Sequence, residues 1–262
     1  MGHSRLGELP LTYEWDDVVA QIAGGADAAA LATAVIDAAD EAFRQAARDA
    51  GVKFVFHLMT KVTLAAVADG DFAVALGDAG VRVRPQPTVF DLVGGFADAV
   101  DDHLLGTGDR TDFGEMAQMA AAESLANVVD AGSASRLFGT TGDDVREAVA
   151  ELSRPSGFER LARDFVARLV QRFLTYHLSR ELSAHVGPGK RFANVDAHAE
   201  FNRRLWRTCE ETAVIVKDFA GGWYAKKRFE TGITAADARD FVCGAFQKVR
   251  KELRVRGGTH VA

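Results

Sequence analysis

Apolar residues recur along most of the chain at the spacing of an amphipathic α-helix. Over residues 27–50 they return every three or four positions, and the same spacing continues over residues 52–68. Alternation of apolar and polar residues, which is typical of a half-buried strand, never extends beyond four or five positions. We therefore predict an all-α fold.

The second half of the chain carries the longest helical patterns. They cover residues 157–186, 195–219 and 234–256, and the turn Gly187-Pro188-Gly189-Lys190 separates the first from the second. Short connections favour antiparallel neighbours. We expect a multi-helix bundle with long antiparallel helices in the C-terminal half. Gly221-Gly222 interrupts a helix just before Trp223, which allows a bend or close packing there.

Several helix starts carry the same local signal. A Ser or Thr is followed three residues later by a carboxylate, so that each side chain can accept a hydrogen bond from a free backbone N–H group of the first turn. The four pairs are Thr88 with Asp91, Thr141 with Asp144, Ser156 with Glu159, and Thr234 with Asp237.

The composition is that of a globular protein. The chain has 262 residues, of which 48% are hydrophobic and 26% charged, which excludes a disordered chain. The two cysteines are too few for a disulfide framework or a four-thiolate zinc site. With neither a secretory signal nor an apolar run long enough to span a bilayer, the sequence predicts a cytoplasmic protein with no membrane partner.

Charge divides the chain into two parts. Residues 1–150 hold 24 acidic and 10 basic residues, whereas residues 151–262 hold 13 acidic and 21 basic ones. Glycine- and serine-rich stretches lie near residues 131–142. We predict an acidic helical region at 1–135 and a basic helical bundle at 140–262, or alternatively one core shared by both.

Basic residues of the second half are candidates for binding phosphates of nucleic acid. The candidate positions are Arg203, Arg207, Lys248, Arg250, Lys251 and Arg254. Interleaved acids leave other uses open: docking on the acidic half of the same chain, on a second copy, or on an acidic partner protein.

An aromatic pair next to a basic triplet is a candidate protein interface. Trp223 and Tyr224 precede Lys226, Lys227 and Arg228, and aromatic and arginine side chains are enriched at binding hot spots. The alternative is that both rings belong to the core of the bundle.

A third candidate is a metal site. His177, Glu181 and His185 recur every four residues, which places them along one side of a helix, and His198 follows on the next helix. The spacing matches neither the di-iron bundle signature nor that of the zinc proteases. The alternative is a structural role for His177 near the buried face.

The leading prediction is a non-catalytic helical interaction or adaptor subunit, with other protein subunits as partners and self-association through the oppositely charged halves. No cofactor motif is present, because the turn at Gly187-Pro188-Gly189-Lys190 lacks the strand and spacing of a phosphate-binding loop. Arginine outnumbers lysine 23 to 8 and alanine is abundant, which suggests a bacterial protein. The basic half would suit a complex that handles nucleic acid or acts in anti-phage defence. Direct nucleic-acid binding is the first alternative, and a metal-dependent enzyme is the second.

Overall fold

The described chain is built from helices. A computed structural model describes residues 13–133, 141–230 and 232–259. Within those ranges there are twelve α-helices and a short 3-10 turn at Ser183–His185, and the only β pairing is an isolated bridge between Val186 and Phe192. The all-α prediction is confirmed. No helix of the described part is both long and apolar enough to cross a membrane.

The five helices within residues 13–78 have at most 16 residues, and most of the later helices are longer. In chain order they are α1 Tyr13–Ala23, α2 Ala28–Ala38, α3 Asp40–Arg48, α4 Ala50–Ala65, α5 Phe72–Asp78, α6 Val89–Thr107, α7 Asp112–Ser133, α8 Gly142–Leu152, α9 Pro155–Leu182, α10 Val195–Thr212, α11 Val214–Glu230 and α12 Ala235–Thr259.

Helix α9 lies at the centre of the fold. It packs against α7, α10 and α11, and it buries apolar side chains at successive turns, among them Phe158, Phe165 and Phe173. Because α9 is covered on several sides, it organises the helices that surround it.

Helices from both halves of the chain contribute to one hydrophobic core. Helix α12 packs against α2 and α4, and the Phe56 ring of α4 stacks on that of Phe241 of α12 at 4.6 Å. Phe43 of α3 meets Phe173 of α9 edge to face at 5.1 Å. The predicted boundary near residues 131–142 falls mostly outside the described residues.

Two glycines let α4 and α7 approach closely. A Cβ atom on Gly51 would lie 2.8 Å from the Cα atom of Gly114, a separation that side chains do not tolerate. The sequence pattern had indicated Gly51 as the residue after a helix. Instead Gly51 lies in the first turn of α4, where Asp49 caps the helix by accepting from the Val52 N–H at 2.9 Å.

Three of the four predicted capping pairs are formed. The Oγ1 atoms of Thr88, Thr141 and Thr234 accept from the backbone N–H three residues later, and each Asp accepts in return from the threonine N–H. The fourth prediction, at Ser156, is wrong. Helix α9 begins at Pro155, two residues before the predicted first helical residue, and the fixed φ angle of proline suits that first position.

Two predicted helices are each divided in two. The pattern over residues 27–50 breaks at Ala39, whose φ and ψ of −106° and 29° are not helical. The pattern over residues 195–219 breaks at Ala213, between α10 and α11. There the hydroxyl of Thr212 donates to the Thr208 carbonyl at 2.7 Å, a bond that bends helices.

Two glycine pairs lie inside helices, although one was expected to interrupt a helix and the other directly follows the predicted end at residue 256. Helix α11 runs through Gly221-Gly222 to Glu230, and α12 continues through Gly257-Gly258 to Thr259. Gly221 has a packing role, because a Cβ atom there would lie 2.2 Å from the Oε1 atom of Glu159. Gly257 likewise lies against the side chain of Thr33.

Candidate functional site

The predicted aromatic anchor on α11 belongs largely to the core. Tyr224 is fully buried, its ring stacks on Phe158 at 4.1 Å, and its hydroxyl lies 2.8 Å from Oγ1 of Thr63. Burial raises the pKa of Tyr224. Trp223 is half-buried and packs on Phe241 at 4.6 Å. Tyr224 therefore cannot contact a partner, and the core alternative describes both rings better.

Two of the three adjacent bases are tied to the fold. Lys227 forms an ion pair with Asp237 at 2.7 Å, a contact that raises the pKa of Lys227. Arg228 donates to the Ser153 carbonyl at 3.0 Å. Lys226 has a 69% exposed side chain and lies 3.9 Å from Glu230. Lys226 and Arg228 are both exposed, whereas Lys227 is half-buried.

The exposed aromatic residue of this segment is Phe229, which the sequence prediction missed. It is 93% exposed at the end of α11. Val216, Ala220 and Tyr224 mark the buried side of α11. Phe229 lies five residues beyond Tyr224, which rotates it about 140° away from that side. The angular position of Phe229 on the helix, relative to the buried residues of α11, is the signal that could have identified it.

Phe229 ends a continuous exposed stripe, which we call the α11 face. Its members are spaced three or four residues apart and are all exposed: Val214, Asp218, Gly222, Ala225 and Phe229. A Cβ atom on Gly222 would meet no other atom within 4 Å, so the middle of the stripe is open. Four of the five members are apolar or lack a side chain.

The strongest basic candidates on α12 bind acids of the first half. Arg250 lies 2.5 Å from Asp40, and Arg254 lies 2.6 Å from Asp37. These contacts join α12 to α2 and α3. Docking on the acidic half, one of the uses left open by the sequence, therefore accounts for both arginines.

The other four nucleic-acid candidates are exposed. Arg203 shares Glu200 with Arg204, and the two guanidinium groups lower the pKa of that carboxyl. Arg207, Lys248 and Lys251 have no ion pair in the described structure, although the Lys248 ammonium lies 5.1 Å from the centre of the Phe219 ring. Half of the predicted basic set thus remains uncommitted to an acid.

The predicted metal cluster does not assemble. His177 is buried beside Phe173, its Nδ1 atom lies 2.9 Å from the Phe173 carbonyl oxygen, and burial lowers its pKa. His198 packs on the Phe192 ring, whereas Glu181 lies in the last turn of α9 and His185 in the 3-10 turn that follows it. Across the described ranges, no three His, Cys, Asp or Glu side chains could hold one metal ion.

The two cysteines differ in access. Cys209 is 1% exposed, and burial raises its pKa far above the usual range, so it is not a nucleophile in the folded protein. Cys243 is half-buried on α12, and its Sγ atom lies 3.3 Å from the Ala47 carbonyl oxygen.

Comparison with known proteins gives no relative. No family model, curated protein or solved structure matches the chain at a significant level. Its function must therefore be argued from its own surface.

Proposed function

We propose that this protein is a non-catalytic helical binding subunit that docks an acidic helical segment of another protein on the α11 face. The observation that carries the proposal is Phe229, an aromatic side chain 93% exposed at the end of that face. Aromatic side chains supply much of the energy at protein interfaces, and a side chain this exposed loses most of its contact with water when a partner covers it.

The shape of the α11 face suits a helix. Gly222 and Ala225 leave the middle of the stripe without large side chains, so the backbone of a partner helix can approach closely there. Phe229 at one end and Val214 at the other can then pack between the ridges of that helix. An amphipathic helix with apolar residues at three- and four-residue spacing fits such a surface.

Charge favours an acidic partner. Helix α11 carries four bases against two acids. Lys217 and Lys226 flank the stripe on either side, and both are exposed. Interfacial charges of opposite sign speed association and set orientation. The prediction that the complex is bacterial and handles nucleic acid or acts against phage stays a prediction from composition.

The proposal is tested by capture from a nuclease-treated lysate of the source organism with three forms of the protein. These are the unaltered chain, Phe229→Ala, and the matched control Phe90→Ala. Phe90 is 89% exposed on α6, outside the α11 face, so both changes remove an equally accessible ring. We expect one protein to be captured by the first and third forms and to bind Phe229→Ala roughly thirtyfold more weakly.

Photocrosslinking then identifies the contact. With p-benzoylphenylalanine at position 229, the crosslinked peptide should come from an acidic, amphipathic helical segment of the captured protein. Equal capture by all three forms would refute the α11 face. Capture that succeeds from an untreated lysate but fails from the nuclease-treated one would favour direct nucleic-acid binding through Arg207, Lys248 and Lys251. Crosslinks to a second copy would show self-association instead.

A further inference from the structure

A cleft of about 290 Å³ lies between α3 and α12, on a different surface from the α11 face. Its walls combine aromatic, small and basic side chains. The lining residues are Phe43, Arg44, Ala47, Arg48, Cys243, Phe246, Gln247 and Arg250. We refer to it as the α3–α12 cleft.

Positive charge exceeds negative charge in this cleft. Three guanidinium groups, those of Arg44, Arg48 and Arg250, line it. Asp40 forms ion pairs with two of them, at 2.6 Å from Arg44 and 2.5 Å from Arg250. Arg48 is exposed and forms no ion pair in the described structure. An acidic chain of net charge −6 thus concentrates two uncompensated positive charges at one small depression.

Hydrogen-bond donors in the cleft also lack acceptors. The Nε atom of Arg250 is buried and has no hydrogen-bond partner. A guanidinium group offers five N–H donors, and the contact of Arg44 with Asp40 uses the Nη2 atom. The Arg48 side chain forms no hydrogen bond with another described residue, so its donors are available there. Planar guanidinium groups bind carboxylate and phosphate through paired, charge-assisted hydrogen bonds, so this donor set selects an anion.

The inner part of the cleft is apolar. The rings of Phe43 and Phe246 lie 5.0 Å apart and are almost wholly buried. Ala47 and Cys243 complete this part of the lining. The volume is at the lower end of the range for ligand sites, roughly 300–1,000 Å³, which limits the occupant to a small molecule.

We propose that the α3–α12 cleft binds a small organic anion, whose phosphate or carboxylate contacts Arg44 and Arg48 and whose apolar body lies against Phe43 and Phe246. Arginine supplies the charge recognition and the aromatic floor supplies the preference for an organic rather than an inorganic anion. This inference is independent of the proposed partner binding.

Cys243 provides a direct measure of occupancy. It lines the cleft, whereas Cys209 is buried in the core, so alkylation of the native protein by neutral N-ethylmaleimide should report on Cys243 alone. The alkylation rate is measured with increasing phenyl phosphate, benzoate, or uncharged benzyl alcohol, and the modified residue is identified by mass spectrometry. We expect at least one of the two anions to slow alkylation saturably and benzyl alcohol to leave the rate unchanged. The stronger of the two identifies the anionic group that the cleft prefers.

Variants locate the binding group. Arg48→Gln should weaken protection by the anion roughly tenfold or more, because it removes a charged hydrogen-bonding partner. Arg207→Gln removes an equally exposed arginine from α10 and should leave protection unchanged. Arg44→Gln serves as a second test should Arg48→Gln fail to fold. Equal protection by benzyl alcohol, no protection by either anion, or equal affinity of the Arg48 and Arg207 variants would each overturn the proposal.

Discussion

The hydroxyl of Tyr224 donates a hydrogen bond to Oγ1 of Thr63 across 2.8 Å in the interior of the protein. The direction follows from the next bond, since Thr63 uses its own proton to donate to the Thr60 carbonyl at 2.8 Å. Both side chains are fully buried, so water cannot replace either partner. The pair joins α4 to α11, and its two residues are 161 positions apart in the sequence.

Removing the Tyr224 hydroxyl and removing the Thr63 hydroxyl should destabilise the protein by different amounts. In Tyr224→Phe the Thr63 hydroxyl still donates to the Thr60 carbonyl, so the free energy of unfolding should fall by only about 1 kcal/mol. Thr63→Val leaves a buried tyrosine O–H with no acceptor, and should lower it by about 2 kcal/mol. Urea unfolding of both variants and of the double variant measures this. The double variant should lose less than the two single losses added together, and strict additivity would show that the groups do not interact.

Local chemistry made much of the helical structure predictable. The capping pairs at Thr88, Thr141 and Thr234 depend on residues within four positions of one another, so the sequence contains the whole interaction. The long buried pattern of α9 was likewise evident from its regular apolar spacing. Its start was misplaced because the preference of Pro155 for the first helical turn outweighs the Ser156 signal.

Tertiary contacts determine what the sequence could not show. Gly221 lies inside a helix, where its missing side chain leaves room for Glu159 of α9. Nothing near Gly221 in the sequence indicates that neighbour. Tyr224 is buried because Thr63 supplies an acceptor from α4.

The same holds for the candidate sites. Arg250 and Arg254 looked available for phosphate because their acids, Asp40 and Asp37, lie more than 200 residues away in sequence. Phe229 was missed because the sequence alone does not show which side of α11 is buried. Its exposure follows from helical phase, which becomes usable once the buried side of α11 is known.

Arg146 should stabilise the fold by capping the end of a distant helix. From α8 its guanidinium donates to the carbonyls of Ala66, Ala68 and Gly70 at 3.1, 2.7 and 2.9 Å, and so satisfies acceptors at and beyond the C-terminal end of α4. Arg146→Gln should lower the free energy of unfolding by about 1–2 kcal/mol in urea.

A matched arginine separates this cap from a general charge effect. Arg154 forms an exposed ion pair with Glu151, and Arg154→Gln should cost less than about 0.5 kcal/mol. Arg146→Lys keeps the charge but not the fork of donors, so its loss should be intermediate. Similar losses for Arg146→Gln and Arg154→Gln would contradict the capping role.

The buried histidine predicts a pH dependence near neutrality. Burial lowers the pKa of His177 below its ordinary value, about 6.5, so the folded state resists protonation that the unfolded chain accepts. The stabilisation by neutral His177 is therefore complete above that value and declines as the pH falls below it. In chemical unfolding between pH 7 and pH 5, His177→Phe should lose less stability than the unaltered protein. Parallel pH curves would rule out this origin of the decline.

A second pH dependence lies in the acidic range and has the same direction. The ammonium of Lys227, together with the side chain and N–H of Thr234, holds the pKa of Asp237 well below its usual range. This contribution is present above the unfolded value, about 3.9, and is lost as the pH falls towards the lower folded value. Between pH 4 and pH 2 the melting temperature of Asp237→Asn should fall less steeply than that of the unaltered protein.

Lys227→Gln tests the assigned cause. Because the Lys227 contact is the largest influence on Asp237, this variant should also flatten the acid dependence, though by less, since the threonine contacts remain. A Lys227→Gln curve as steep as that of the unaltered protein would assign the effect to Thr234 alone.

Asp40 should affect stability and anion binding in opposite directions. It is the acid shared by Arg44 and Arg250, with Arg254 farther away at 3.6 Å, and its side chain is 23% exposed. Asp40→Asn leaves both arginines without their carboxylate and should lower the free energy of unfolding by about 1–2 kcal/mol. The same change raises the net positive charge of the α3–α12 cleft and frees donors of both arginines, so the concentration of phenyl phosphate or benzoate that protects Cys243 should fall.

Asp37→Asn is the control, because Asp37 pairs with Arg254 outside the cleft lining and is 46% exposed. It should change stability by less than about 0.5 kcal/mol and leave protection unchanged. Weaker anion protection in Asp40→Asn would contradict this expectation, because it would show that the two arginines need their carboxylate to hold the geometry of the site.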